Sequence, residues 1–385
     1  MQSLDLLKRL VEIPSHKNAS TLNGRFEYGV ARWLSDYIKN NLRGFVVDEQ
    51  PVEDGRINLF VHDGTEPSLL FLCHIDTVEE GKGWTASPRG ELKGLRFYGR
   101  GSLDMKCGAV AILSALHKAK ELNKNGVAAL FYADEEYDSK GMKKFVEEYG
   151  QKLKPKLIVC MEPTEGQLRR GCRGVTELRY VLNGKTGHAA RPKSGISAFE
   201  GLNRSINALY QSIQNINDPY LGHPTINVAR VRCGAIQEKR PDGFIIFNSA
   251  GNVIPDYCEV LLGVRTVPGI DEAKIKQTFQ DGLKTTGVVI ESVETLINLG
   301  PFVSPQENLK IVEDIFYEVV GGETYQDIER GGYTDAQMLA ELWQTPTVLW
   351  GAKGENAHGA DEYVDLSSFE KLEIGLKKLV DRWVV

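Results

Sequence analysis

No apolar run in this 385-residue chain approaches the roughly 18 residues that a membrane-spanning helix needs. A membrane partner is therefore not expected. No long basic block is present, and 46 Lys and Arg are outnumbered by 52 Asp and Glu. That balance excludes an obvious nucleic-acid surface. No CxxC pair occurs, and the six cysteines, at 73, 107, 160, 172, 233 and 258, are scattered. The spacing excludes a small secreted disulfide scaffold and predicts free thiols in a reducing cytoplasm. The glycine-rich string GRGSLDMKCG has neither GxGxxG spacing nor a ribose-binding acid about twenty residues on, which argues against a dinucleotide site. Internal repeats and low-complexity tracts are missing too. The opening segment MQSLDLLKRLVEIPS does not read as a signal peptide. Its Leu4, Leu7, Leu10 and Val11 recur at helical spacing with charges between them. Ser3 can cap that helix and Pro14 can end it.

What is present points to an α/β protein. A single core stops growing near roughly 250–300 residues, so this length predicts two domains. The runs SLLFLC (68–73), GVAALFYA (126–133) and KLIVCM (156–161) read as buried strands. CGAVAILSALHKAKEL (107–122) and SKGMKKFVEEYG (139–150) read as the helices between them. Strands alternating with helices predict a mostly parallel sheet flanked by helices. Near residue 177 the pattern changes. TELRYVLNG (176–184) and YCEVLLGVRTVPG (257–269) read as half-exposed strands, with an amphipathic helix at 197–213 between them. The α/β pattern returns with a helix at LKIVEDIFYEVVG and a strand at TPTVLWG (345–351). The expected organisation is one domain made of 1–177 and 292–385, with a smaller α+β domain inserted at 178–291.

Polar residues follow these strands in a pattern. His74 and Asp76 follow SLLFLC, Asp134, Glu135 and Glu136 follow VAALFYA, and Glu162 follows LIVCM. His358 lies just beyond TPTVLWG, and Asp104 sits in a glycine-rich turn before a helix. Open α/β sheets build their sites at the carboxyl ends of strands, so these groups are expected on one rim. Two histidines and several carboxylates without cysteine suit zinc, cobalt or manganese. A two-ion site needs a bridging carboxylate, and Asp104 on its short turn can serve. His74 with Glu162, and Glu136 with His358, would complete it. Asp76, two residues from His74, points the same way in extended chain and is expected to bond only His74 and fix its tautomer. Ile75 is expected to point into the core. One of the adjacent glutamates can stay free to move a proton. From its local string alone, a cap on the following helix is the favoured reading of Asp104.

CHIDTV, GRGSLDMKCGAVA, ADEEYDSKG, MEPT and ENAHGADEYV together resemble the zinc aminoacylase/carboxypeptidase metallopeptidase family. That family includes succinyl-diaminopimelate desuccinylase, acetylornithine deacetylase and glutamate-releasing carboxypeptidases. The resemblance runs over nearly the whole chain. It implies a two-zinc catalytic domain with an inserted lid that forms a homodimer. It implies His74, Asp104, Glu136, Glu162 and His358 as ligands of two divalent ions, Asp104 as their bridge, and Glu135 as general base. NGKTGHAARP resembles the lid segment whose histidine reaches the partner's active site, here His188, as an oxyanion donor. GNVIPDYCEVLLGVRTVPG resembles the stretch that supplies Asn252 and Arg265 to a substrate carboxylate. GGYTDAQML resembles a substrate-contacting GGTSD loop, with Tyr333 and Thr334 replacing threonine and serine. The implied activity is hydrolysis of a small anionic N-acyl amino acid, with an exopeptidase as the alternative. A non-catalytic binding protein would be expected to lose a ligand or the base, and all are present.

Overall fold

The computed structural model describes residues 3–21, 24–53, 55–322 and 332–383. The chain forms two compact units, Met1–Cys172 with Val303–Val385, and Arg173–Phe302. The inserted unit is longer at both ends than the expected 178–291. Its boundary strands Gly174–Asn183 and Val289–Leu299 pair from Val175↔Leu299 to Asn183↔Val289, so neither can be divided.

The first unit is built on a seven-stranded sheet. Its central strands Thr347–Trp350, Leu157–Cys160, Leu69–His74 and Val127–Tyr132 lie side by side and parallel. Every residue of these four is buried, as strands covered on both faces require. The helices Cys107–Leu122 and Lys140–Tyr149 connect successive parallel strands, in the positions the sequence predicts. The sequence reading misses the antiparallel strands Val46–Pro51 and Ile57–His62 at one edge. The outer one, VVDEQP, is half polar and only partly buried, so it carries little hydrophobic signal. Ser3 lies within the Ser3–Glu12 helix, and its hydroxyl donates to Glu373 Oε1 at 2.6 Å. That bond ties the start of the helix to the Leu366–Trp383 helix.

A smaller antiparallel sheet runs Gly354–Glu355, Tyr363–Asp365, Arg96–Tyr98, Glu91–Lys93. It matters because the turn bearing Asp104 leaves one of its strands and the loop bearing His358 enters the next. Gly101 begins that turn at φ +79°, a left-handed conformation that glycine adopts without penalty. Gly108, in the first turn of the following helix, leaves no room for a side chain, because a Cβ there would meet Met161. Helix and strand thus close together immediately before Glu162.

Behind the sheet edge lies a buried triad. Arg56 Nε donates to Glu27 Oε1 at 2.6 Å, and Arg56 Nη1 donates to Asp134 Oδ1. Asp134 Oδ2 accepts from the Lys140 amide at 3.1 Å, which closes the turn after Val127–Tyr132. Removing the guanidinium leaves two buried carboxylates without their cation. Arg56→Met is expected to cost about 3–5 kcal/mol of folding stability. Denaturant melts of the two proteins check this, and an unchanged midpoint would mean that the triad carries no net weight.

The second unit is a four-stranded antiparallel sheet, ordered Thr225–Gly234, Tyr257–Thr266, Gly174–Asn183, Val289–Leu299. Helices Ala198–Ile213 and Glu272–Leu283 pack on one another, and the first also packs on the sheet. Ser197 caps its helix through the Glu200 amide at 3.2 Å. Cys233 and Cys258 are opposite each other on neighbouring strands, with Cα atoms 4.2 Å apart, and form a disulfide. The expectation of six free thiols is corrected here. Strand register brings together two cysteines separated by 25 residues, which spacing alone does not show. Cys73, Cys107, Cys160 and Cys172 are buried thiols. Among the described residues, no helix is long and apolar enough to cross a membrane.

Candidate metal centre

The four parallel strands end on the same side, and their ends supply the site. His74 is the last residue of Leu69–His74. Glu135 and Glu136 follow Val127–Tyr132 after a turn at Asp134, whose φ is +68°. Glu162 follows Leu157–Cys160 by two residues. His358 sits at φ +64° in the loop beyond Thr347–Trp350.

Two donor groups result, and they share one residue. Ligating atoms of His74, Asp104 and Glu162 lie within 4.8 Å of one another, as do those of Asp104, Glu136 and His358. The two oxygens of Asp104 divide between them. Oδ1 is 3.0 Å from His74 Nε2, and Oδ2 is 3.3 Å from His358 Nε2. His358 Nε2 is also 3.0 Å from Glu136 Oε2. Asp104 does not cap the next helix, whose N-terminus has no side-chain cap. Its peptide bond to Met105 is cis.

The electrostatics favour a cation at these atoms. Burial and the neighbouring charges of Asp104 and Glu136 push Glu162 up to about 8, against the pull of His74. Burial would raise Asp104 as well, but hydrogen bonds to His358 and His74 hold it below the usual carboxylate range. Hydrogen bonds to Asp104 and Glu136 push His358 up to about 10. His74 is raised despite its burial, through Asp104 and Asp76. The histidine protons thus answer the carboxylates, and a divalent ion binding the same atoms replaces those protons. Glu136 Oε1 is buried with no hydrogen-bond partner, a donor atom suited to an ion. The residues fit a two-ion centre with Asp104 as the shared ligand.

Glu135 belongs to neither donor group. Burial, then the charge of Glu162, raises its carboxyl well above the ordinary value. Its backbone shows where Asp76 acts. Asp76 Oδ1 accepts from the Glu135 amide and Oδ2 from the Glu136 amide, each at 3.1 Å. His74 Nδ1 bonds the Asp76 main-chain carbonyl at 3.1 Å, while Asp76 Oδ1 stands 3.6 Å away. The expectation that Asp76 touches only His74 is therefore corrected. The carboxylate faces the two amides, and the ring nitrogen turns to the Asp76 main-chain carbonyl instead. Ile75 between them is fully buried, as expected.

An Asn at position 76 has one accepting oxygen and one donating amide, so it can satisfy only one of the two amides. Asp76→Asn is expected to lower kcat by about 10–100-fold with KM little changed. Steady-state kinetics check it, and an unaltered kcat would show that the staple does not position Glu135.

Thr334 is buried, and its hydroxyl donates to Glu162 Oε1 at 3.1 Å. It thus contacts a donor of the site, and Tyr333 beside it is half-buried. Sequence reasoning missed Glu362, whose buried carboxylate bonds the Asp104 turn. It also missed Asp335, which is fully buried. Burial raises its carboxyl to about 7, and neither of its oxygens has a hydrogen-bond partner among the described residues. The only available signal was a pair of acids four or fewer residues from His358 and Thr334.

The second unit brings two of its candidates together. The Ala189 amide donates to the Asn252 carbonyl at 2.8 Å, and His188 pairs with Val253. His188 is exposed, and its Nδ1 accepts from the Ala190 amide at 3.1 Å, which leaves Nε2 to carry the ring proton. Arg265 lies on the neighbouring Tyr257–Thr266 strand, half-buried.

The family model described as "Peptidase family M20/M25/M40" matches residues 70–382. The succinyl-diaminopimelate desuccinylase of Nautilia profundicola is 27% identical over 90% of this chain and 93% of its own. The acetylornithine deacetylase of Aliivibrio fischeri is 28% identical over 91% of this chain and 89% of its own. Among solved structures, aminopeptidase PepT from Bacillus cereus superposes with a TM-score of 0.73 at 19% identity, covering 99% of this chain and 98% of that one.

Proposed function

The chain belongs to the peptidase family M20/M25/M40, metallohydrolases of amide and peptide bonds, and on that premise we propose that it removes the acyl group from an N-acyl amino acid. The observation that carries the reading is the division of Asp104 between two His-and-Glu donor groups, with Glu135 standing outside both. The names of the two relatives, each similar over about nine-tenths of this chain, support a deacylase of the acetylornithine or succinyl-diaminopimelate type.

His74, Asp104 and Glu162 would hold one divalent ion, and Asp104, Glu136 and His358 the other, with zinc first among the ions these donors suit and cobalt or manganese next. When bound, such ions supply Lewis-acid polarisation of the scissile carbonyl and an acidified water. Glu135 takes a proton from the attacking water on a carboxylate oxygen and returns it to the departing amine nitrogen. His188, contributed by the lid of a second copy in a homodimer, donates its Nε2 hydrogen to the carbonyl oxygen. Arg265 and Asn252 hold the substrate carboxylate, the guanidinium bidentately. Tyr333 lies beside the substrate and selects the acyl group, with Thr334 setting the carboxylate of Glu162.

The second reading is an exopeptidase, favoured by the fold shared with an aminopeptidase and by the Tyr333–Thr334 departure from the family loop. Metal-loaded protein assayed against acetyl-, succinyl- and formyl-amino acids and against dipeptides separates the two. The deacylase reading expects kcat/KM to be highest on an acyl amino acid. A dipeptide turned over faster than every acyl amino acid would overturn it in favour of the exopeptidase.

A further inference from the structure

Glu362 lies four residues past His358 and is fully buried. Its two carboxylate oxygens take four N–H groups from the segment that carries Asp104. Oε2 accepts from Arg100 Nη1 and from the Gly101 amide at 3.1 Å. Oε1 accepts from the Leu103 amide at 2.9 Å and from the amide of Asp104 itself at 3.0 Å. The main chain repeats the link, since the Gly99 amide donates to the Glu362 carbonyl at 2.9 Å. Arg100 completes the loop by donating through Nη2 to the Gly359 carbonyl at 2.8 Å. Asp361 holds the other side of the same loop by accepting the Thr85 and Ala86 amides at 2.8 and 2.9 Å.

The consequence concerns one of the two ion sites more than the other. His358 is contributed by a loop and has a side chain 54% exposed, so packing does little to aim it. His74 ends a buried central strand and needs no such help. We propose that Glu362 is a positioning residue for the Asp104–Glu136–His358 ion site. One buried anion, gripping Arg100 and three successive-turn amides, holds the Asp104 and His358 loops at a fixed separation. The inference rests on the two-ion reading of the centre. Glutamine at this position would turn donating hydrogens toward two of the amide or guanidinium donors, so it breaks the grip at nearly constant volume.

The test is calorimetric titration of the full-length, chelator-stripped protein with Co(II) alone. The unsubstituted chain should bind two ions. Glu362→Gln should weaken the ion held by Glu136 and His358 by about 10–100-fold, and by clearly more than the ion held by His74 and Glu162, which feels the change only through the shared Asp104. A purely structural role would lower the melting temperature and leave both affinities equal, and that result overturns the inference. Should the Gln variant fail to fold, Glu362→Asp keeps the charge and withdraws it by one methylene. It should show the same selective weakening, and equal affinities there are likewise contrary. Fewer than two ions on the unsubstituted chain would overturn the two-ion reading, and this inference with it. Two ions held equally well by both proteins would overturn this inference alone.

Discussion

Glu135→Gln is expected to lower kcat by about 10²–10⁴ while two ions still bind. The variant keeps the size of the side chain and its amide bond to Asp76, so the loop should stay in place. What it removes is the ability to take a proton. If Glu135 works only in the transition state, kcat and kcat/KM should fall by the same factor. Pre-steady-state and steady-state kinetics on the best acyl amino acid check this, with ion content measured on the same samples. A variant that keeps full activity with both ions bound would mean that the base is another group. Glu136 is the alternative the sequence offers, but its Oε2 already faces His358 at 3.0 Å, which makes it a ligand donor instead.

Asp104→Asn should have the broader effect. Its two oxygens serve two donor groups, so the substitution removes charge from both at once. It also turns a donating amide toward His74 Nε2 or His358 Nε2, where an acceptor stands now. Both ions should bind more weakly, and kcat/KM should fall by about 10³-fold or more, matching the loss of several kcal/mol of transition-state stabilisation. Atomic absorption on dialysed protein, with kinetics at saturating added ion, measures the two consequences separately. Retention of two ions at native affinity would show that Asp104 does not bridge.

The grouping of these side chains was legible because the chain announces strand ends plainly. SLLFLC, VAALFYA and LIVCM are apolar enough to be read as buried strands, and each stops at a histidine or an acid. The sheet then does the rest, since parallel neighbours end on one side. What the sequence hides is hydrogen bonding to main chain. Asp76 sits two residues from His74, a spacing that suggests a side-chain pair, yet its carboxylate is taken by two amides from a loop about sixty residues away. Glu362 is hidden for the same reason, because its partners are amides about 260 residues earlier and amides have no residue-specific letter. The disulfide was hidden by register, which only strand pairing sets. The domain boundaries were misjudged because hydrophobic pattern marks where a strand's character changes, whereas the fold keeps a paired strand whole.

Hydrolysis at this site should depend on two ions held by five side chains, with Asp104 shared between them. The most direct measurement is hydrolysis of the preferred acyl amino acid by chelator-stripped protein, followed as Co(II) or Zn(II) is added and binding is counted. The stripped protein should show no turnover, with recovery as ion is added and saturation at two ions per chain. Undiminished hydrolysis after stripping, or saturation below two ions per chain, would contradict that dependence.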